Sequence, residues 1–111
     1  MISLIHYDEY GPGMGFPSMK DSFEVTKYYG QDRIAAYLLN GRKTYAAAGR
    51  SRDFFTGDEI PGELCGMTDE EYSWISDLSY YVKTYNLRLP KEFEAKVLGL
   101  NDPLKAVHRS T

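Results

Sequence analysis

Residues 68–85, TDEEYSWISDLSYYVKTY, carry more mutually consistent signals than any other stretch of the chain. Thr68 precedes Glu71 at the spacing of a capping box. In that motif the Thr hydroxyl accepts from one backbone N–H while the Glu carboxylate reaches back to another. Met67 and Tyr72 flank the box at hydrophobic-staple spacing. Asp69, Glu70 and Glu71 put negative charge at the positive end of a helix dipole, and Lys83 puts a cation near the other end. Ile75, Leu78, Val82 and Tyr85 share one face at helical period. Asn86, which tolerates the left-handed conformation, follows as a stop. The expectation is one helix over 68–85. Trp74 and Tyr81 lie off its main stripe. They read as core packing, with a partner contact as the sharper alternative, because Trp and Tyr anchor interfaces efficiently.

Shorter elements are expected around this helix. Ile2–Tyr7 alternates and reads as a strand. The run Gly11-Pro12-Gly13-Met14-Gly15-Phe16-Pro17 reads as a loop. Phe23–Tyr29, rich in Val, Thr, Phe and Tyr, reads as another strand. Ile34–Leu39 and Arg42–Ala48 flank Asn40-Gly41, and Asn-Gly between two such runs signals a hairpin. The competing reading is a helix capped by Asp32 and stopped at Gly41, which the alanines favour. Ser51–Phe55 fits one helical turn. Leu89-Pro90 opens a second helix that Gly99 ends, and Asn101-Asp102-Pro103 offers the start of a third through His108.

The expected fold is therefore α+β. A small antiparallel β-sheet forms from the N-terminal half, with a hairpin around Asn40-Gly41. A main helix over 68–85 and a shorter one over 90–99 cover it, in a single globular domain over 1–111. A hydrophobic fraction of 42% and an aromatic fraction of 14% support a packed core. Ten tyrosines exceed what a core ordinarily uses, since each buried hydroxyl needs a partner, so several are expected at the surface.

A formal charge of −3 argues against broad affinity for nucleic acid or membrane surfaces. Met1–Ile5 lacks the basic start and the length of a secretory signal. With one cysteine, Cys65, no internal disulfide is available, and a reducing cytoplasmic setting is the expectation.

Catalytic and metal-binding patterns are sparse. His6, His108 and Cys65 are too few and too far apart in sequence for a transition-metal site. The glycine-rich loop lacks the Lys-Ser/Thr ending of a phosphate loop, and no Gly-x-Ser-x-Gly elbow occurs. The expectation is no cofactor and no metal, and a small enzyme with an unrecognised site is the least favoured of the functional readings.

Charge is more informative. Residues 41–53 hold Arg42, Lys43, Arg50 and Arg52 against Asp53, a net +3. Residues 57–72 hold Asp58, Glu59, Glu63, Asp69, Glu70 and Glu71 with no cation, a net −6. Either the two stretches pair with each other, or they form a bipolar surface that steers a charged partner. The expected interface comprises Tyr37, Arg42, Tyr45, Arg50 and Arg52, with Asp58, Glu59 and Glu63 as a second patch. The expected function is binding of another protein by a small inhibitor or immunity-type protein. A phage or mobile-element inhibitor of a bacterial defence nuclease would be one example. The alternative is a nucleic-acid-binding module that uses Arg42–Arg52, where tyrosines stack on bases and arginines grip phosphates.

Overall fold

A computed structural model of the chain describes residues 1–47 and 49–99. In chain order its elements are β1 (Ile2–Ser3), a 3₁₀ turn (Met19–Ser22), α1 (Gln31–Leu39), β2 (Arg42–Ala46), β3 (Cys65–Thr68), β4 (Tyr72–Ile75), α2 (Leu78–Tyr85) and α3 (Lys91–Leu98). The four strands form one mixed sheet in the order β1-β4-β3-β2. β1 runs parallel to β4, and the other two pairings are antiparallel. The α+β class stands. Among the described residues no helix is long and apolar enough to cross a membrane. The helix expected from residue 101 lies outside the described residues.

The stretch 68–85 is not one helix. Its first half is a β-hairpin in which Thr68 pairs with Ser73 and Met67 with Trp74. The groups that resemble a helix cap instead hold the hairpin turn. The Thr68 hydroxyl accepts from Glu70 N–H (3.0 Å) and donates to the Tyr72 carbonyl (2.7 Å). One Asp69 carboxylate oxygen accepts from the N–H groups of Glu71 (3.0 Å) and Tyr72 (2.7 Å). Short Thr and Asp side chains satisfy a turn as readily as a helix start, so the signature does not discriminate. Alternation decides the matter. Tyr72 and Trp74 are buried while Ser73 and Ile75 are half-buried, the period of a strand. Helix begins only at Leu78, and Asn86 ends it in the left-handed region at φ 57°, as expected.

The second correction lies at Asn40-Gly41. The helical alternative is the one that forms, since α1 spans Gln31–Leu39 and Asn40 is its C-terminal cap. Helix propensity across the Ile34–Leu39 run prevails. Gly41 then lets the chain pass under Trp74, where a Cβ would lie 2.7 Å from the indole ring. The Trp74 indole N–H in turn donates to the Leu38 carbonyl (3.0 Å).

Phe23–Tyr29 is not a strand. Only Phe23 forms a bridge, to Leu87, and Val25 is 97% exposed, so β-prone composition finds no sheet edge to join. Of the first expected strand only Ile2–Ser3 pairs. At Ser51–Phe55 the capping residue is Asp53, whose carboxylate accepts from Phe55 and Thr56 N–H, while Arg52 bridges to Glu59. The helix expected over 90–99 appears as Lys91–Leu98, with Pro90 just before it and Gly99 ending it at φ 73°.

The helices pack on the sheet through Ile34, Leu38, Leu78, Val82 and Phe93, all fully buried. Phe93 meets Tyr72 and Trp74 edge-on at 5.0 and 6.0 Å between ring centres. Trp74 (2% exposed) and Tyr81 (0%) are core residues, which leaves them no surface for a partner. Cys65 is buried beside Met67.

Candidate functional site

Of the proposed interface residues, Arg42 and Tyr45 lie on β2 and Glu63 reaches it through Lys43, whereas Tyr37 is on α1 and Arg50, Arg52, Asp58 and Glu59 belong to the loop between β2 and β3. β2 is the outer strand of the sheet, and all five of its residues are exposed. Its neighbour β3 is buried at all four positions. Ala46 pairs with Cys65, and the Ala47 N–H donates to the Leu64 carbonyl (2.9 Å). Antiparallel ladders alternate bonded and unbonded pairs, so the Ala46 N–H turns away from β3 toward the open side. The register slips between Lys43 and Tyr45, a bulge that bends the strand. Tyr45 is 57% exposed and its ring lies across Gly66, where any side chain would collide with it.

The basic and acidic stretches pair internally. Arg42 Nε lies 2.7 Å from Glu70, Lys43 Nζ 2.7 Å from Glu63, and Arg50 Nε 3.1 Å from Glu59. These hydrogen-bonded carboxylates hold the Arg42 guanidinium and Lys43 ammonium above their usual range. All six side chains are more than half exposed, so the pairs add little stability. Arg52 donates instead to the Gly57 carbonyl (3.1 Å). Asp58 is exposed, and its carbonyl accepts from the Asp53 N–H. Tyr37 is half-buried on α1, and its hydroxyl donates to Asp69 (2.5 Å). The aromatic of the set that is left open to solvent is therefore Tyr45.

Sequence reasoning missed the destination of the tyrosines. Asp53, 3% exposed, accepts from the hydroxyls of Tyr80 (2.7 Å) and Tyr85 (2.6 Å). Burial alone would raise the Asp53 carboxyl, but these donors and two backbone N–H groups hold it below the usual range. Asp77, 6% exposed, accepts from Tyr10 (2.5 Å) and Ser51 (2.6 Å). Aspartates scattered along the chain thus partner half-buried phenols, and the surface expectation holds for Tyr29 and Tyr45. No local motif could show these contacts. The clue was the excess of tyrosine itself. Among the described residues no group of three or more His, Cys, Asp or Glu converges in a way that would hold a metal ion.

No protein-family model matches the chain, and neither the curated proteins nor the solved structures provide a match.

Proposed function

We propose that this chain acts by binding another protein, which lays an extended segment along the open side of β2. The observation that carries this reading is β2 itself, an edge strand exposed along its whole length beside a fully buried neighbour. A partner strand there gains backbone hydrogen bonds, with Ala46 N–H as one donor, and packs on the Tyr45 ring. Arg42, Lys43 and the bulge blunt indiscriminate strand pairing, so the edge favours a partner that complements its charges. An inhibitor or immunity-type role, for example against a bacterial defence nuclease, is in keeping with a small acidic binding protein. The nucleic-acid alternative is weakened because Arg42, Lys43 and Arg50 already sit against carboxylates.

Affinity capture at low and high salt tests this, using the wild type, Ala46→Pro and Tyr45→Ala. Proline is tolerated on an edge strand where its missing N–H faces outward, so Ala46→Pro keeps the fold. The wild type is expected to retain a stoichiometric protein at high salt. Both variants lose about tenfold or more in affinity at an unchanged melting temperature. Recovery of nucleic acid alone, lost at high salt, would replace this reading with the alternative.

A further inference from the structure

We propose that the cleft between the end of α1, one side of α2 and the chain leading into β3 takes a large uncharged apolar side chain of the same protein that pairs with β2. This deepens the β2 reading and rests on it, adding an anchor residue to the partner's extended segment. The cleft measures about 410 Å³, and its apolar walls are Leu39, Ile60, Pro61, Leu64 and Tyr80. Leu39 is 61% exposed, and Pro61 and Gly62 are exposed beside it, so one side stands open to solvent.

The cleft is continuous with the strand. Glu63, on its wall, lies 2.7 Å from Lys43 Nζ on β2. Leu64, the next wall residue, accepts from the Ala47 N–H just past the end of β2 (2.9 Å). On the other side, only Asn40 and Gly41 separate Leu39 from Arg42, where β2 begins. The segments that wall the cleft therefore meet both ends of the strand.

The polar groups of the cleft are already spent. The Ser76 hydroxyl donates to the Glu63 carbonyl (2.8 Å) and accepts from the Cys65 N–H (3.0 Å). Ser79 donates to the Ala35 carbonyl (2.8 Å), and Tyr80 to Asp53 (2.7 Å). One Asp77 oxygen accepts from Tyr10 and the other from Ser51, while Glu63 is paired with Lys43. Lys83 is exposed, a setting in which a long side chain keeps its ammonium in water. A polar group entering the cleft gains little that water does not offer. An apolar one removes its own surface and that of Leu39 from water.

The open side decides between a free small molecule and a side chain. Sites for small molecules enclose most of the ligand, and this cleft leaves Leu39, Pro61 and Gly62 in solvent. A side chain carried by a segment already held on β2 needs less enclosure, because its entry is an intramolecular step. Large apolar anchors seated in pockets of this kind carry much of the energy of protein interfaces.

Amide NMR spectra of the full chain test the cleft without the partner, with N-acetyl-phenylalaninamide as probe and N-acetyl-glycinamide as its backbone-only control. The phenylalanine probe is expected to shift the amides of Glu63, Leu64, Ser79 and Tyr80 saturably, and to bind at least about tenfold more tightly than the control. Leu39→Gln keeps a good helix former at an exposed position, so the melting temperature stays unchanged. It is expected to weaken both the probe and the protein captured through β2 by about fivefold. Ala46→Pro is expected to leave probe binding intact while it weakens the captured protein. Absent or unsaturable shifts at 63–64 and 79–80, equal binding of the two probes, or a captured protein insensitive to Leu39→Gln would overturn the anchor and leave the β2 reading standing. A captured protein sensitive to Leu39→Gln but not to Ala46→Pro would overturn the β2 reading, and with it an anchor delivered by that strand.

Discussion

At the β1 edge of the sheet, two paired residues are followed by a wall drawn from distant parts of the chain. Ser22 accepts the Arg88 N–H (2.8 Å), and Glu94 grips both the Arg88 guanidinium and the Leu89 N–H. At the β2 edge, five exposed residues have no neighbour on their outer side among the described residues, and their charges are met by carboxylates on adjacent loops. Glu94 has a side chain 9% exposed, whereas those of Glu63 and Glu70 are 52% and 69% exposed. Similar ion pairs therefore do different work. The buried carboxylate fixes a segment in place, while the exposed ones mainly neutralise a surface and leave the backbone edge accessible.

If this contrast is right, its largest consequence falls at Glu94. Glu94→Gln leaves Arg88 with a weaker partner, and is expected to cost about 2–3 kcal/mol in urea unfolding. A cost no larger than that of a surface mutation would erase the difference between the edges.

Asp69 comes next, since it joins the β3–β4 turn to both α1 and α3. Its carboxylate accepts from Tyr37 (2.5 Å) and Lys96 (2.8 Å). Burial would raise its carboxyl, but these bonds and two backbone N–H groups outweigh that and hold it at about 2. The unfolded chain binds this proton more tightly than the folded one. Asp69 therefore stabilises the fold above the ordinary carboxylate range, and loses that effect as pH falls from about 4 toward 2. The loss is expected to be on the order of 2 kcal/mol, and to vanish in Asp69→Asn when unfolding is followed at both ends of that range.

The smallest effect belongs to the β2 edge. A double-mutant cycle on Lys43→Ala and Glu63→Ala is expected to give a coupling below about 1 kcal/mol that fades with added salt. A larger, salt-resistant value would make that edge structural rather than available.

Local signals predicted the helix ends but not the sheet. Asn86, Pro90 and Gly99 mark backbone positions that few other residues fill, so the end of α2 and both ends of α3 were readable. Thr68, Asp69 and Glu71 were misread because a tight turn and a helix start use the same short side chains. Asn40-Gly41 was misread because the packing that selects Gly41 comes from Trp74, far along the chain. The charges of 42–72 are readable as a pair of opposite blocks, and Arg42, Lys43 and Arg50 do meet carboxylates of the acidic block. The Asp53 and Asp77 contacts with tyrosine join residues 27 to 67 positions apart, beyond the reach of periodicity.

The most direct measurement is amide hydrogen exchange on the chain, free and in complex with the captured protein. The account predicts new protection at Ala46 and its neighbours in β2, with the α3 start unchanged. Exchange in β2 that is the same in both states, with protection appearing elsewhere, would contradict it.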